Sequence, residues 1–262
     1  GLGYETLSAL NPGLVYCSIT GYGQTGPRAE EAGHDINYQA RSGVLAQALG
    51  GGVARPQPPA LIADIAGGAY AAVINILIAL RARDASGRGS HLDVAMHDAM
   101  ASFAWFGLAD ASATGQWPIG GQGLLNGGSP RYQLYPTADG RWLAVGALEE
   151  KFWRVFCDGI GLPEQFRAAA ADPAEVKDAI AGRIAAKDAA HWRATLEQLD
   201  CCCTVVATLE EAASDPHWIA RELSGAKVEG PGGAQVRRAP LPLAPIFRLL
   251  PDWVGNNFGS IL

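Results

Sequence analysis

The 262-residue chain predicts an α/β fold in two structural units. Three observations carry that reading. A short apolar run at residues 14–19 ends in a glycine-rich loop at 21–27, the pattern of a buried strand opening into a connection. An apolar, helix-length stretch from about Asp64 to Arg83 then leads through residues 86–89 (SGRG) into an alternating, strand-like segment at 90–94. Beyond residue 130, two strand-like runs flank Asp139-Gly140, a good tight-turn signal, and amphipathic helical stretches follow to about Leu223.

In chain order, residues 14–19 read as the first strand, and a helix is expected from about Asp35, through Tyr38 and Ala40, towards Leu49. Residues 50–52 (GGG) and the prolines from Pro56 to Pro59 make a loop. Residues 60–80 are apolar enough to resemble a membrane span, but Asp64, Gly67, Gly68 and Asn75 interrupt them and no aromatic belt flanks them. They are read as a buried core helix, with no membrane span, whose last turn carries Arg81 and Arg83 where the helix dipole favours cations. Residues 90–94 form a second strand and 96–108 a further helix. A hairpin is expected from 131–136 and 141–145. The Pro- and Gly-rich stretch 230–245 returns the chain, and a tail runs to Leu262. The expected organisation is a large unit at 1–108, a linker at 109–130, a small unit at 131–225, and a return segment at 226–262 packing on the large unit.

Composition excludes several classes. With 48% hydrophobic and 18% charged residues the chain is too apolar to be disordered. A net charge of -6 argues against a nucleic-acid partner, because phosphate backbones demand a basic surface. The five cysteines are odd in number, and three are consecutive at 201–203, so a disulfide framework is not expected. A reducing compartment fits better: cytoplasmic, or organellar in a eukaryote. The triple run reads as buried small residues. The opening Gly1-Leu2-Gly3-Tyr4 does not resemble a signal peptide. No metal is expected, since no cysteine pair stands opposite a histidine pair, and His91, His97, His191 and His217 form no ligand motif.

Two residues stand out as candidates for chemistry. His34 follows a glycine and precedes an acid on a loop leading into a helix, and imidazoles exchange protons near neutral pH. Asp64 is a carboxylate among apolar neighbours. Either it caps a helix or it acts as a base or nucleophile beside Gly67-Gly68, which would let a ligand approach the backbone. Glu149 follows the second hairpin strand. It reads either as a surface acid at a helix start or as a carboxylate that orients an imidazole. Residues 21–26 match G-x-G-x-x-G literally, but Pro27 and the acidic Glu30-Glu31 stand where a helix should begin, so NAD binding is rejected. Arg28, Arg41, Arg88 and Arg131 are the basic candidates for phosphate or pantetheine contacts.

Taken together, residues 19–27 (ITGYGQTGP), 63–68 (ADIAGG), 86–89 (SGRG) and 93–96 (DVAM) resemble the family III CoA-transferases, the formyl-CoA transferase-like superfamily. Residues 33–38 (GHDINY) look like its α-methylacyl-CoA racemase branch, because transferases usually carry another residue, often tyrosine, at the position of His34. The likeness covers nearly the whole chain, the tail after Pro245 least.

The resemblance implies a truncated Rossmann-like large domain plus a smaller α+β domain, in an interlocked homodimer. A long nucleotide-binding segment supplying phosphate-binding arginines is expected ahead of the position of Gly1 and is missing here. It further implies that His34 and Asp64 are the two catalytic bases, that an acid matching Glu149 lies close to the histidine, in trans if the dimer interlocks, and that Gly33, Asp35, Ile36, Asn37 and Tyr38 line an acyl-CoA pocket. The expected activity is epimerisation of 2-methyl-branched acyl-CoA thioesters through an enolate, with no cofactor. The alternatives are CoA transfer between carboxylic acids with Asp64 as nucleophile, and an inactive remnant.

Overall fold

In a computed structural model, residues 1–48, 60–223, 227–237 and 242–244 are described. They fall into two compact units, Gly1–Thr204 and Val205–Leu262. The first opens with α1 (Tyr4–Leu10) and β1 (Val15–Thr20), which pairs in parallel with β2 (Ser90–Ala95), from Val15 opposite Ser90 to Thr20 opposite Ala95. Between the strands lie α2 (Asp35–Arg41), α3 (Val44–Ala48) and a π-helical segment, Ala63–Tyr70, that runs directly into α4 (Ala71–Ser86). The single helix expected from Asp35 is broken after Ser42 by Gly43, whose φ of 78° leaves the helical region. Leu49 and the expected loop at 50–52 and 56–59 lie outside the described residues.

Helix α4 stops at Gly87, a left-handed cap whose N–H returns to the Arg83 carbonyl. The next glycine has a different reason. A Cβ on Gly89 would sit 1.9 Å from the Leu14 carbonyl oxygen, so only glycine lets the chain enter β2 alongside β1. Helix α5 (Met96–Phe103) follows without a break, then α6 (Trp105–Thr114). The sequence ended this helical run at 108; the structure carries it to Thr114, into the expected linker, because nothing stops it before Gly115 (φ 71°).

The expectation of a buried core helix is corrected in part. Helix Ala63–Ser86 has a mean hydropathy of 1.8 over its most apolar window, and by length and composition it could cross a membrane. Only small residues of it are fully buried, namely Ala63, Gly67, Gly68, Ala72 and Ala79, while Ile76 and Leu80 are half-buried. Ile65, Val73, Ile74, Leu77 and Ile78 stand exposed on the other side, by up to 63%. Hydropathy said how apolar the helix is; the spacing of alanines and glycines decided which stripe could pack closely against α5 and the strands.

The expected hairpin forms. Strands β3 (Gln133–Pro136) and β4 (Trp142–Val145) are antiparallel, and β5 (Cys203–Val205) completes a sheet of order β3-β4-β5. At the turn, one Asp139 carboxylate oxygen accepts from the Thr137 hydroxyl (2.5 Å) and from the Ala189 N–H (3.1 Å). The Thr137 hydroxyl, more than any other group, holds that carboxyl below its ordinary range. Helices α7 (Glu150–Gly159), α8 (Pro173–Ile184) and α9 (Ala189–Leu196) complete this part. Asp172 and Asp188 cap α8 and α9 through their side chains, each such cap contributing about 1 kcal/mol. Leu143, Phe156, Ile180, Ile184 and Leu196 are fully enclosed, each contributing roughly 1.5–3 kcal/mol. The Trp192 indole joins them by donating to the Ile184 carbonyl (2.9 Å).

In the second unit, α10 (Leu209–Ser214) begins with a reciprocal Thr208–Glu211 cap and α11 (Pro216–Ala220) is capped by Asp215. Strands β6 (Lys227–Glu229) and β7 (Gln235–Arg237) pair across Gly230–Ala234, so the stretch read as a plain return holds a hairpin. Residues 238–241 and 245–262 of that stretch and tail lie outside the described residues.

Cys157, Cys201 and Cys203 are buried, whereas Cys202 is exposed, which corrects the reading of the triple run at its middle member. Burial pushes the Cys157 thiol up to about 12 against the partial opposition of Arg167 and Arg131, and it raises Cys201 and Cys203 as well. An alkylating reagent added to the native protein should therefore modify Cys202 well before these three, which should react only on unfolding; peptide mapping over a labelling time course checks the order. The same thiols set an alkaline limit. Between their ordinary value of 9.0 and about 12 the folded chain retains protons that the unfolded chain releases. Stability should fall as pH rises through that window, read as a declining denaturant midpoint.

Candidate active site

The site is built from the ends of three elements. Where β1 finishes, the Thr20 hydroxyl accepts the Gly23 N–H (3.0 Å), and the Asp93 carboxylate on β2 accepts the Gln24 N–H with both oxygens (2.9 and 3.1 Å). The glycine loop is thus tied to the ends of both strands. Beyond it, Glu31 pairs with Arg28 (2.8 Å) and Arg41 (3.1 Å), so two of the four basic candidates are engaged at the surface. Arg88 is exposed beside α4's end. Arg131 donates to the Leu148 carbonyl (3.1 Å) and to Glu150 (2.9 Å), with its guanidinium over the Trp153 ring.

His34 is the N-cap residue of α2, in extended backbone, with an exposed side chain. Its N–H donates to Asn37 Oδ1 (3.0 Å) and its carbonyl accepts the Asn37 N–H (2.8 Å), which fixes the backbone that carries the ring. The next residue does something the sequence did not foretell. Asp35 is buried, and its Oδ1 accepts the N–H groups of Ala63 (2.7 Å) and Asp64 (3.1 Å) at the start of the π-helical segment. Its Oδ2 accepts from Gln39 Nε2 (2.5 Å). A carboxylate at an opening helix turn satisfies orphan donors and gains from the dipole. Asp64 is therefore not the cap; it lies in the first turn, half-buried, with its backbone capped by the neighbour of His34.

Behind these residues sits Tyr38, whose hydroxyl donates to the Gly33 carbonyl (2.6 Å) and whose ring meets Tyr22 edge-on at 5.1 Å. A Cβ on Gly21 or Gly33 would come within 2.6 or 2.8 Å of Tyr38, so both glycines are bare to admit its ring. Burial, then the Asp64 carboxylate, then Tyr22 raise the Tyr38 hydroxyl above its ordinary value, and the bonds from Asp35 to the Ala63 and Asp64 N–H groups join the two segments. The segment 33–38 and Asp64 are thus brought together, with Ile36 and Asn37 on the exposed side and Asp35 and Tyr38 on the buried one.

The reading of Gly67-Gly68 as a ligand's approach is corrected. A Cβ on Gly67 would lie 2.8 Å from the Met96 carbonyl oxygen, and one on Gly68 3.0 Å from Met96 Cγ, so α5 occupies that space. Glu149 is the exposed N-cap residue of α7. Among the described residues no hydrogen bond or ion pair joins it to His34. The described residues also hold no group of three His, Cys, Asp or Glu side chains placed to bind a metal. A cleft of about 710 Å³, walled by Val44, Phe103, Leu125, Tyr132 and Val145 among others, includes none of the expected site residues. Gln39, 2% exposed, is the member that sequence reasoning missed. Its spacing of four from Asp35 on one helix was the available signal.

Residues 1–246 match the model of CoA-transferase family III. The α-methylacyl-CoA racemase of Mus musculus is 39% identical over the whole of this chain and 70% of its own length. The succinyl-CoA–D-citramalate CoA-transferase of Chloroflexus aurantiacus is 30% identical over 99% of this chain and 66% of its own. Among solved structures, a CAIB/BAIF family protein from Brucella suis superposes with a TM-score of 0.70 at 27% identity, covering 93% of this chain and 65% of that one.

Proposed function

Because the chain belongs to CoA-transferase family III, we propose that its protein epimerises 2-methyl-branched acyl-CoA thioesters by proton transfer between two faces of an enolate. The observation that carries the reading is the joint anchorage of the pair. His34 opens α2, and the adjacent Asp35 holds the backbone of Asp64 at 3.1 Å, so the two proton carriers project from two helix starts that are tied together.

The α-proton of a thioester is weakly acidic, and its removal needs a positioned base. In one direction, His34 accepts the proton as the C2–H bond breaks, and the electron pair moves onto the thioester oxygen. Asp64, protonated at the outset, delivers its proton to C2 from the opposite face as the electrons return. The step leaves His34 protonated and Asp64 ionised; exchange with solvent, or turnover in the reverse direction, resets them. The Ala63 and Asp64 N–H groups are taken by Asp35, so the enolate oxygen must find its donors elsewhere. The reaction as written moves only protons and calls for no redox group. Glu149, contributed by a partner subunit, would orient the imidazole, while Gly33, Ile36 and Asn37 line the acyl-CoA pocket, with the buried Asp35 and Tyr38 supporting that wall from behind.

The exposed apolar face of α4 supports a homodimer, since a patch of this kind on a folded chain marks a partner. The large CoA-binding unit is read as 1–108 and the small domain as 131–225, joined by 109–130 and closed by 226–262; the compartment is read as the cytoplasm, or an organelle in a eukaryote. CoA transfer is the second reading, favoured by the transferase relative and by the same Asp64 serving as nucleophile. Chiral analysis of an enantiopure 2-methylacyl-CoA separates the two. Epimerisation gives a mixture of configurations with no adduct on Asp64. Transfer leaves C2 untouched and yields an acyl or CoA adduct that hydroxylamine or borohydride traps. Wild-type and His34→Ala proteins that are equally inert would point to the inactive remnant.

A further inference from the structure

We infer that Asp35 is a positioning residue whose carboxylate sets the separation of the two proton carriers, so that its loss uncouples α-proton exchange from stereochemical inversion. The inference rests on the epimerase reading and adds to it a group that need not touch substrate. Asp35 is 5% exposed, and both of its oxygens are committed: Oδ1 to the Ala63 and Asp64 N–H groups, Oδ2 to Gln39. Gln39 is itself buried and lies one turn along α2, so the carboxylate is clamped from its own helix while it grips the next one. The bonds reach across 28 and 29 positions of sequence and are the hydrogen bonds that tie the start of α2 to the start of the Asp64 helix.

A buried carboxylate is costly unless fully hydrogen-bonded. Here the cost is met by three donors, two of them orphan N–H groups that a helix start must satisfy in any case. Each proton carrier needs only its own face of C2 for exchange, but inversion needs both carriers correctly spaced at once. A shift of about 1 Å in such a constellation can cost on the order of 100-fold. Releasing the Asp64 helix from α2 therefore weakens the two-sided process more than either one-sided process.

The test compares two rates in the complete protein, using an enantiopure 2-methylacyl-CoA in deuterated water: deuterium incorporation at C2 and appearance of the opposite configuration. In Asp35→Ala the inversion-to-exchange ratio should fall by about 10-fold or more, through kcat with little change in KM. Asp35→Asn should restore the ratio towards wild type. Its oxygen still accepts the two N–H groups, and its amide nitrogen can donate to a flipped Gln39 carbonyl. A role in stability alone would lower both rates with the folded fraction and leave the ratio fixed. If Asp35→Ala does not fold, Asp35→Glu, which keeps the charge but displaces the carboxylate from the Ala63 and Asp64 N–H groups, is read by the same ratio. A wild-type ratio in the folded variant overturns the inference. A wild-type protein that shows neither exchange nor inversion instead overturns the epimerase reading on which it rests.

Discussion

Asp64→Asn should reduce inversion by about 10²- to 10⁴-fold, the range that a positioned acid–base group commonly supplies, while leaving the folded state almost unchanged. The carboxamide has the shape of the carboxylate but cannot cycle a proton. The structure explains why the fold should tolerate it: Asp35 caps the helix through the Asp64 backbone N–H, so the Asp64 side chain is not needed to start that helix. His34→Ala should show a loss of similar size in a folded chain, since the His34 backbone N–H, which donates to Asn37 Oδ1 at 3.0 Å, is kept. Under the proposed mechanism the remaining group in each variant still faces C2. One configuration of the substrate should therefore continue to exchange its α-proton, with retention. A transferase would respond differently, losing all turnover with Asp64→Asn and little with His34→Ala. Steady-state chiral assays on both variants, beside their melting curves, separate these patterns.

Phe156→Ala should cost about 3–5 kcal/mol of stability. Phe156 is fully buried on the inner face of α7 and packs 5.8 Å from the Trp153 ring, centroid to centroid. Leu143, Ile180 and Leu196 in the same unit are fully enclosed as well. A core packed like an organic crystal relaxes only partly around a deleted ring, so a cavity term adds to the lost transfer free energy. Against a total of roughly 5–15 kcal/mol for a native domain, this is a large fraction. Urea unfolding should show a lowered midpoint with an unchanged slope. A shift below about 1 kcal/mol would mean that this part of the chain is not the tightly packed core described above.

Local signals carried much of this molecule into view. The strand before the glycine loop, the alternating segment at Ser90, and the Asp-Gly hairpin all lie where the sequence placed them, since period-two alternation and turn chemistry are properties of neighbouring residues. Asp64 was legible as a residue at a helix start. Its capping partner was not, because Asp35 is 29 positions away and nothing in a window of sequence links the two. The Gly67-Gly68 pair announced a close approach correctly, but a missing Cβ does not say what fills the gap; Met96 does. Helix 63–86 was apolar enough to be read as core. The stripe that packs inward is made of the small residues Ala63, Gly67, Gly68, Ala72 and Ala79, and Ile65, Val73, Ile74, Leu77 and Ile78 were left exposed. Gly43 could have been read as a break in the helix that starts at Asp35, since its φ of 78° is one that glycine adopts without strain.

The proposed mechanism has His34 and Asp64 exchanging protons with opposite faces of one carbon. The most direct measurement is mass and chiral analysis of an enantiopure 2-methylacyl-CoA incubated with the complete protein in deuterated water. The expected result is a single deuterium at C2 together with conversion towards both configurations. Substrate that keeps its α-hydrogen and its configuration, while CoA passes to an added carboxylic acid, would contradict it.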